Sequence, residues 1–187
     1  MLRSRHIVLT LACLLPAALA AQDKPRVAAS SPEAAGEYLM IIGSCHDCHT
    51  AGWTAAKGKV AKDDQLTGNP VGYKGPWGTV YGKNLRSIAA RQSEDHWVKV
   101  MTTADDGEGK LPMPWHNTAL MTEEDIRNTF KYTKSLGNKV GARLPRNAKP
   151  GADPFGEYVD LTAKQGAPLP PVDTTKKPAG PETKKPK

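Results

Sequence analysis

The chain has 187 residues, a formal net charge of +7, 16 prolines and only three cysteines. The charge is unevenly placed: residues 139–187 carry ten Lys and Arg against five Asp and Glu, Arg3 and Arg5 sit at the N-terminus, and residues 21–138 balance to neutral. This excludes the usual step from a basic chain to nucleic acid, which needs a patterned basic face on a folded domain. The cysteine count excludes a disulfide-rich scaffold.

Residues 1–20 read as a secretory signal peptide. Arg3 and Arg5 form the positive region, residues 7–19 are apolar apart from a break at Pro16, and Ala18-Leu19-Ala20 is a cleavage site that leaves Ala21 as the first mature residue. The apolar run is too short and broken for a transmembrane helix, and Thr10-Leu11-Ala12 before Cys13 is a poor lipid-attachment site. The expected location is therefore the periplasm, with membrane contact peripheral at most. Cys13 leaves with the signal, so the mature chain keeps only Cys45 and Cys48.

Residues 30–138 are expected to form one small domain. Three helices announce themselves by their ends. Ser31 is an N-cap with Pro32 in the first turn and Glu33 behind it. Ser93 precedes Glu94 and Asp95, with Trp97, Val100 and Met101 as apolar positions. Thr122 and Asp125 resemble a capping box, Glu123 and Glu124 favour the helix dipole, and Gly137 ends that helix. Its inward stripe is Ile126 and Phe130 with Thr129 or Thr133. Between the first two helices, residues 50–92 are rich in glycine and read as a long loop, acceptable if it wraps a cofactor that supplies apolar surface. Residues 139–162, with Pro145, Pro150 and Pro154, read as an extended segment lying along the domain through Phe155 and Tyr158. Residues 163–187 are a Pro/Lys-rich tail that cannot bury enough apolar area to fold.

The most informative motif is Cys45-His46-Asp47-Cys48-His49. This C-x-x-C-H pattern is the signature of covalent c-type haem attachment: two thiols form thioethers with the porphyrin vinyl groups, and the adjoining imidazole binds iron from one face. A zinc site needs about four ligands, and the mature chain has no further cysteine. A thioredoxin-like reading needs a βαβ context that the sequence lacks. No second C-x-x-C-H occurs, so one haem c is expected.

The second axial position decides what such a haem does. A methionine closes it and raises the potential, whereas an open position admits small molecules. Met113 is the first candidate, because Pro112 and Pro114 stiffen the chain on both sides of it. Met121 is the runner-up. Met40 and Met101 lie at helical spacing and read as core, while His96 and His116 are nitrogen alternatives. Of the basic residues, Arg86 and Arg91 are weighed as partners of a haem carboxylate, with solvated surface charge as the better reading.

With the haem motif near the start, Leu111-Pro112-Met113-Pro114-Trp115 late and Met121-Thr122-Glu123-Glu124-Asp125-Ile126 opening a last helix, the chain resembles the class I c-type cytochromes. It is most similar to the mono-haem cytochrome c subunits of bacterial periplasmic dehydrogenases, over about residues 33–137. Gly36-Glu37-Tyr38-Leu39, the stretch from Pro76 to Leu85, and Tyr132 through Leu136 also carry the likeness. The resemblance implies an all-α fold, three main helices around one covalently bound haem, with the first and last helices crossing near Gly36 and Tyr132. It implies Met113 as the distal ligand and a proline carbonyl, from Pro70 or Pro76, accepting the proton of the proximal imidazole. Arg86-Ser87-Ile88 departs from the usual Thr-Pro-Asp turn, and Thr129 stands where a larger apolar residue is common.

The expected function is electron transfer between a dehydrogenase and the respiratory chain through redox protein partners, without enzymatic turnover by the chain itself. The alternative is a haem protein with an open or labile sixth site that binds gas or reduces peroxide. The lysine-rich tail reads as a solubilising tether in preference to a docking arm.

Overall fold

A computed structural model describes residues 26–104 and 111–162; residues 1–20, read above as a signal peptide, with Cys13 among them, and the 163–187 tail lie outside the described residues. Among the described residues six α-helices run in chain order: α1 (Pro32–Ile42), α2 (Cys45–His49), α3 (Leu85–Arg91), α4 (Glu94–Thr103), α5 (Trp115–Thr118) and α6 (Glu123–Ser135). Three short strands, β1 (Gly72–Gly75), β2 (Gly78–Tyr81) and β3 (Tyr158–Asp160), form one sheet in the order β2-β1-β3. Among the described residues no helix is long and apolar enough to cross a membrane.

The three caps behave as their residue types dictate. Ser31, Ser93 and Thr122 each accept a hydrogen bond from the backbone N–H three residues on, at 3.1 Å in every case. Gly137 follows α6 with φ +74°, a left-handed conformation that suits glycine at a helix end. α1 crosses α6 at Gly36, where a Cβ would overlap the Asn128 carbonyl and press on the Tyr132 side chain. Met40, Leu66, Ala89, Trp97, Met101, Ile126, Phe130 and Tyr132 form the buried core. Thr129 is buried among them because its hydroxyl is fully used: it accepts from Trp97 Nε1 at 3.1 Å and donates to the Ile126 carbonyl at 2.6 Å.

The all-α expectation is overturned by the sheet. Residues 50–92 do not stay a plain loop; β1 and β2 pair antiparallel as a hairpin with Gly75 opposite Gly78. Pro76 and Trp77 make its two-residue turn, and Gly78 takes φ +100°. Pro76 fixes φ at the first turn position and Gly78 accepts the positive φ that closes it. The extended segment then returns along the hairpin. β3 pairs parallel with β1, Gly72 opposite Tyr158, and Ala148 exchanges both main-chain hydrogen bonds with Thr79. The segment 139–162 is thus a strap built into the sheet. Gly78 lies so close to Ala148, and Gly141 to Thr67, that a Cβ on either glycine would overlap a carbonyl oxygen.

Where α6 meets the strap, Arg86 is buried, 4 % exposed. Its guanidinium donates to the carbonyls of Gly137 at 2.7 Å, Asp63 at 2.6 Å and Leu136. Beside it, Lys139 pairs with Asp63 and Asp64.

Candidate cofactor site

α2 is little more than one turn, and its helical spacing sorts the motif. Cys45, Cys48 and His49 stand at i, i+3 and i+4 and share one face; all three line one cleft. His46 points the other way and is fully buried. Its ring stacks on Trp53, centroids 4.1 Å apart at 17°, and its Nδ1 lies 2.9 Å from Thr50 Oγ1, which also accepts the Leu66 N–H at 2.9 Å. His46 Nε2 is buried without a partner. Burial, reinforced by His49, pushes the His46 pKa down to about 4, so this ring is neutral at pH 7.

The loop around α2 is pinned through main-chain groups. The Asp47 carbonyl accepts from Tyr73 Oη and from Asn69 Nδ2, each at 3.1 Å. The His49 carbonyl accepts the Gly68 N–H at 2.9 Å. Gly82 is seated on Cys48 so closely that a Cβ would overlap the Cys48 carbonyl oxygen.

His49 donates Nδ1–H to the main-chain carbonyl of Lys83 at 2.7 Å. The expectation of a proline carbonyl from Pro70 or Pro76 is therefore corrected: Pro76 is occupied in the hairpin turn, and the acceptor at His49 is the residue two places after β2. With Nδ1 committed, Nε2 is the ring nitrogen left to act as a ligand. Burial also lowers the His49 pKa, which keeps the imidazole in the neutral form that binds metal. The Cys45 thiol is pushed up to about 11, by burial first and Cys48 second, and burial raises Cys48 as well. Redox-active C-x-x-C pairs carry depressed thiol pKa values, so the environment of this pair is of the opposite kind.

The cleft has a volume of about 330 Å³, at the small end of the range for cofactor sites. Its walls are predominantly apolar: Met40, Val80, Leu85, Ile88, Trp97, Val100 and Met101 contribute, and among the described residues no acidic side chain lines it. Met113 lines the cleft together with Pro112 and Trp115, and the Trp115 N–H donates to the Met113 carbonyl at 2.8 Å. Met121 packs against the core and does not line the cleft. His96 and His116 are exposed and stand apart from it. Met40 and Met101 are core residues whose side chains also reach the cleft. Arg86 is consumed by its carbonyls, whereas Arg91 lines the cleft.

Two soft sulfur nucleophiles, a neutral imidazole whose Nδ1 is committed to Lys83 and a thioether share one apolar cleft, and these residues fit what a covalently held haem would need. Three contributors escaped the sequence reading: the Lys83 carbonyl, the His46–Trp53 stack and Asn147, which reaches the cleft from the strap. Of these only the stack had a sequence signal, a tryptophan seven residues after the histidine. No family model matches this sequence, and no curated protein or solved structure matches it significantly.

Proposed function

We propose that the chain is a periplasmic electron carrier, a mono-haem c-type cytochrome that passes electrons from a dehydrogenase toward the respiratory chain. The single observation that carries this reading is the convergence of Cys45, Cys48, His49 and Met113 on one apolar cleft. Haem c, when bound, supplies a one-electron couple at its iron. In this reading Cys45 and Cys48 carry the two thioether links. His49 Nε2 and Met113 Sδ would hold the iron, and with both donors engaged the site would be restricted to electron exchange. The Lys83 carbonyl, by accepting Nδ1–H, fixes the ring and raises the donor strength of Nε2. The apolar walls keep water from the site, and the rigid Pro112-Met113-Pro114 stretch holds a weak thioether in reach.

The test is optical. The purified ferric protein is expected to show the weak far-red absorption of thioether ligation, and the reduced protein to refuse carbon monoxide. Met113→Ala opens the site and produces rapid carbon monoxide binding. A high-spin wild-type spectrum with rapid carbon monoxide binding overturns the electron-carrier reading in favour of a gas-binding or peroxide-reducing one.

A further inference from the structure

We infer that Asn147, on the C-terminal strap, is a positioning residue for His49; this rests on His49 being an axial ligand as proposed above. The path is short: it runs from the Asn147 side chain through the main chain of residues 81–83 to the His49 ring. The outer edge of β2 is met by the strap, where the Thr79 N–H donates to Ala148 at 3.0 Å and the Ala148 N–H returns to Thr79 at 2.9 Å. One step further, the Tyr81 N–H donates to the side-chain Oδ1 of Asn147 at 3.2 Å. A side-chain carbonyl thus extends the ladder to the last residue of β2. Two residues later the Lys83 carbonyl accepts His49 Nδ1–H at 2.7 Å.

Between these contacts the chain has little freedom. Gly82 is pressed against the Cys48 carbonyl, and its own carbonyl accepts the Asn69 N–H at 3.0 Å. The strap is anchored upstream as well, with Asn84 Nδ2 donating to the Lys139 carbonyl at 2.7 Å. Asn147 and His49 line the same cleft. Losing Oδ1 leaves the Tyr81 N–H without its acceptor and releases one side of the Tyr81–Lys83 stretch. The Lys83 carbonyl then holds Nδ1–H less firmly, Nε2 becomes a weaker donor, and the ferric state loses more support than the ferrous state.

The experiment uses the full-length haem-loaded protein. Asn147→Ala is expected to raise the midpoint potential and to speed solvent exchange of the His49 Nδ1–H, followed by proton NMR of the reduced protein, by roughly tenfold, the effect of weakening one hydrogen bond. Asn147→Asp keeps an acceptor oxygen at the same position and restores slow exchange. Should Asn147→Ala fail to accumulate, Asn147→Gln moves the acceptor by one methylene and carries the same two readouts. The inference is overturned if the alanine or glutamine variant lowers thermal stability yet keeps wild-type potential and exchange, because the strap is then scaffolding alone. Absence of a low-spin haem spectrum in the wild type defeats the earlier reading instead, so the two failures are distinct.

Discussion

Around α1, α4 and α6 the molecule is held by side chains, with Ile126, Phe130, Trp97 and Met40 filling a buried core. Around β1, β2 and the strap it is held by the main chain, through paired carbonyls and amides and through glycines set against neighbouring carbonyls. The two regions meet at the cleft, one supplying apolar wall and the other supplying the hold on α2. In the helical region, apart from Gly36 against the Asn128 carbonyl, a substitution changes volume by degrees and packing adjusts. In the sheet region a methyl group added at Gly78, Gly82 or Gly141 meets a carbonyl oxygen, and at Gly82 that carbonyl belongs to Cys48 of α2.

The comparison is tested hardest at Gly82. Gly82→Ala puts a Cβ into the Cys48 carbonyl, and we expect a loss of at least about 4 kcal/mol of stability or failure of the haem-loaded protein to accumulate. Wild-type denaturation midpoint and spectrum in that variant would show that the sheet region yields as readily as the core.

Arg86 tests the seam between the regions. Arg86→Met keeps much of the side-chain volume but leaves three carbonyls without their donor, those of Leu136, Gly137 and Asp63. The expected cost is about 3 kcal/mol by chemical denaturation, with the haem spectrum retained because Arg86 does not line the cleft.

The smallest effect belongs to His46 and appears only with pH. Its folded pKa of about 4 lies below the ordinary 6.5, so the unfolded chain takes up the proton first as pH falls. The contribution to stability is complete above pH 6.5 and is lost between about pH 6.5 and 4, with a total on the order of 2–3 kcal/mol. His46→Phe keeps a ring to stack on Trp53 and is expected to flatten that part of the stability–pH curve. An unchanged slope would mean that the ring is hydrated in the folded protein.

The helical region was legible because its signals are local. Ser31, Ser93 and Thr122 each lie three residues from the amide they cap, and the stripe through Ile126 and Phe130 repeats at the helical period. Cys45, Cys48, His49 and Met113 were legible for a similar reason: the first three form a motif of particular residue types at fixed spacing, and Met113 is marked by its flanking prolines. The sheet was not. β1 begins and ends with glycine, each strand has three or four residues, and β3 is exposed along its whole length, so no alternation of apolar and polar residues betrays it. Its parallel partner lies more than 80 residues away in sequence, a pairing no local pattern encodes. Lys83 was missed because its contribution is a carbonyl, which every residue possesses.

That last point reaches beyond this molecule's fold. Since His49 is held by a main-chain oxygen, no side-chain replacement at position 83 can delete the acceptor. The constraint on the imidazole's orientation falls on Gly82, which must stay small, and on whatever holds the end of β2 in place. A map of mutational tolerance would therefore record the hold on the histidine at the neighbours of the residue that touches it.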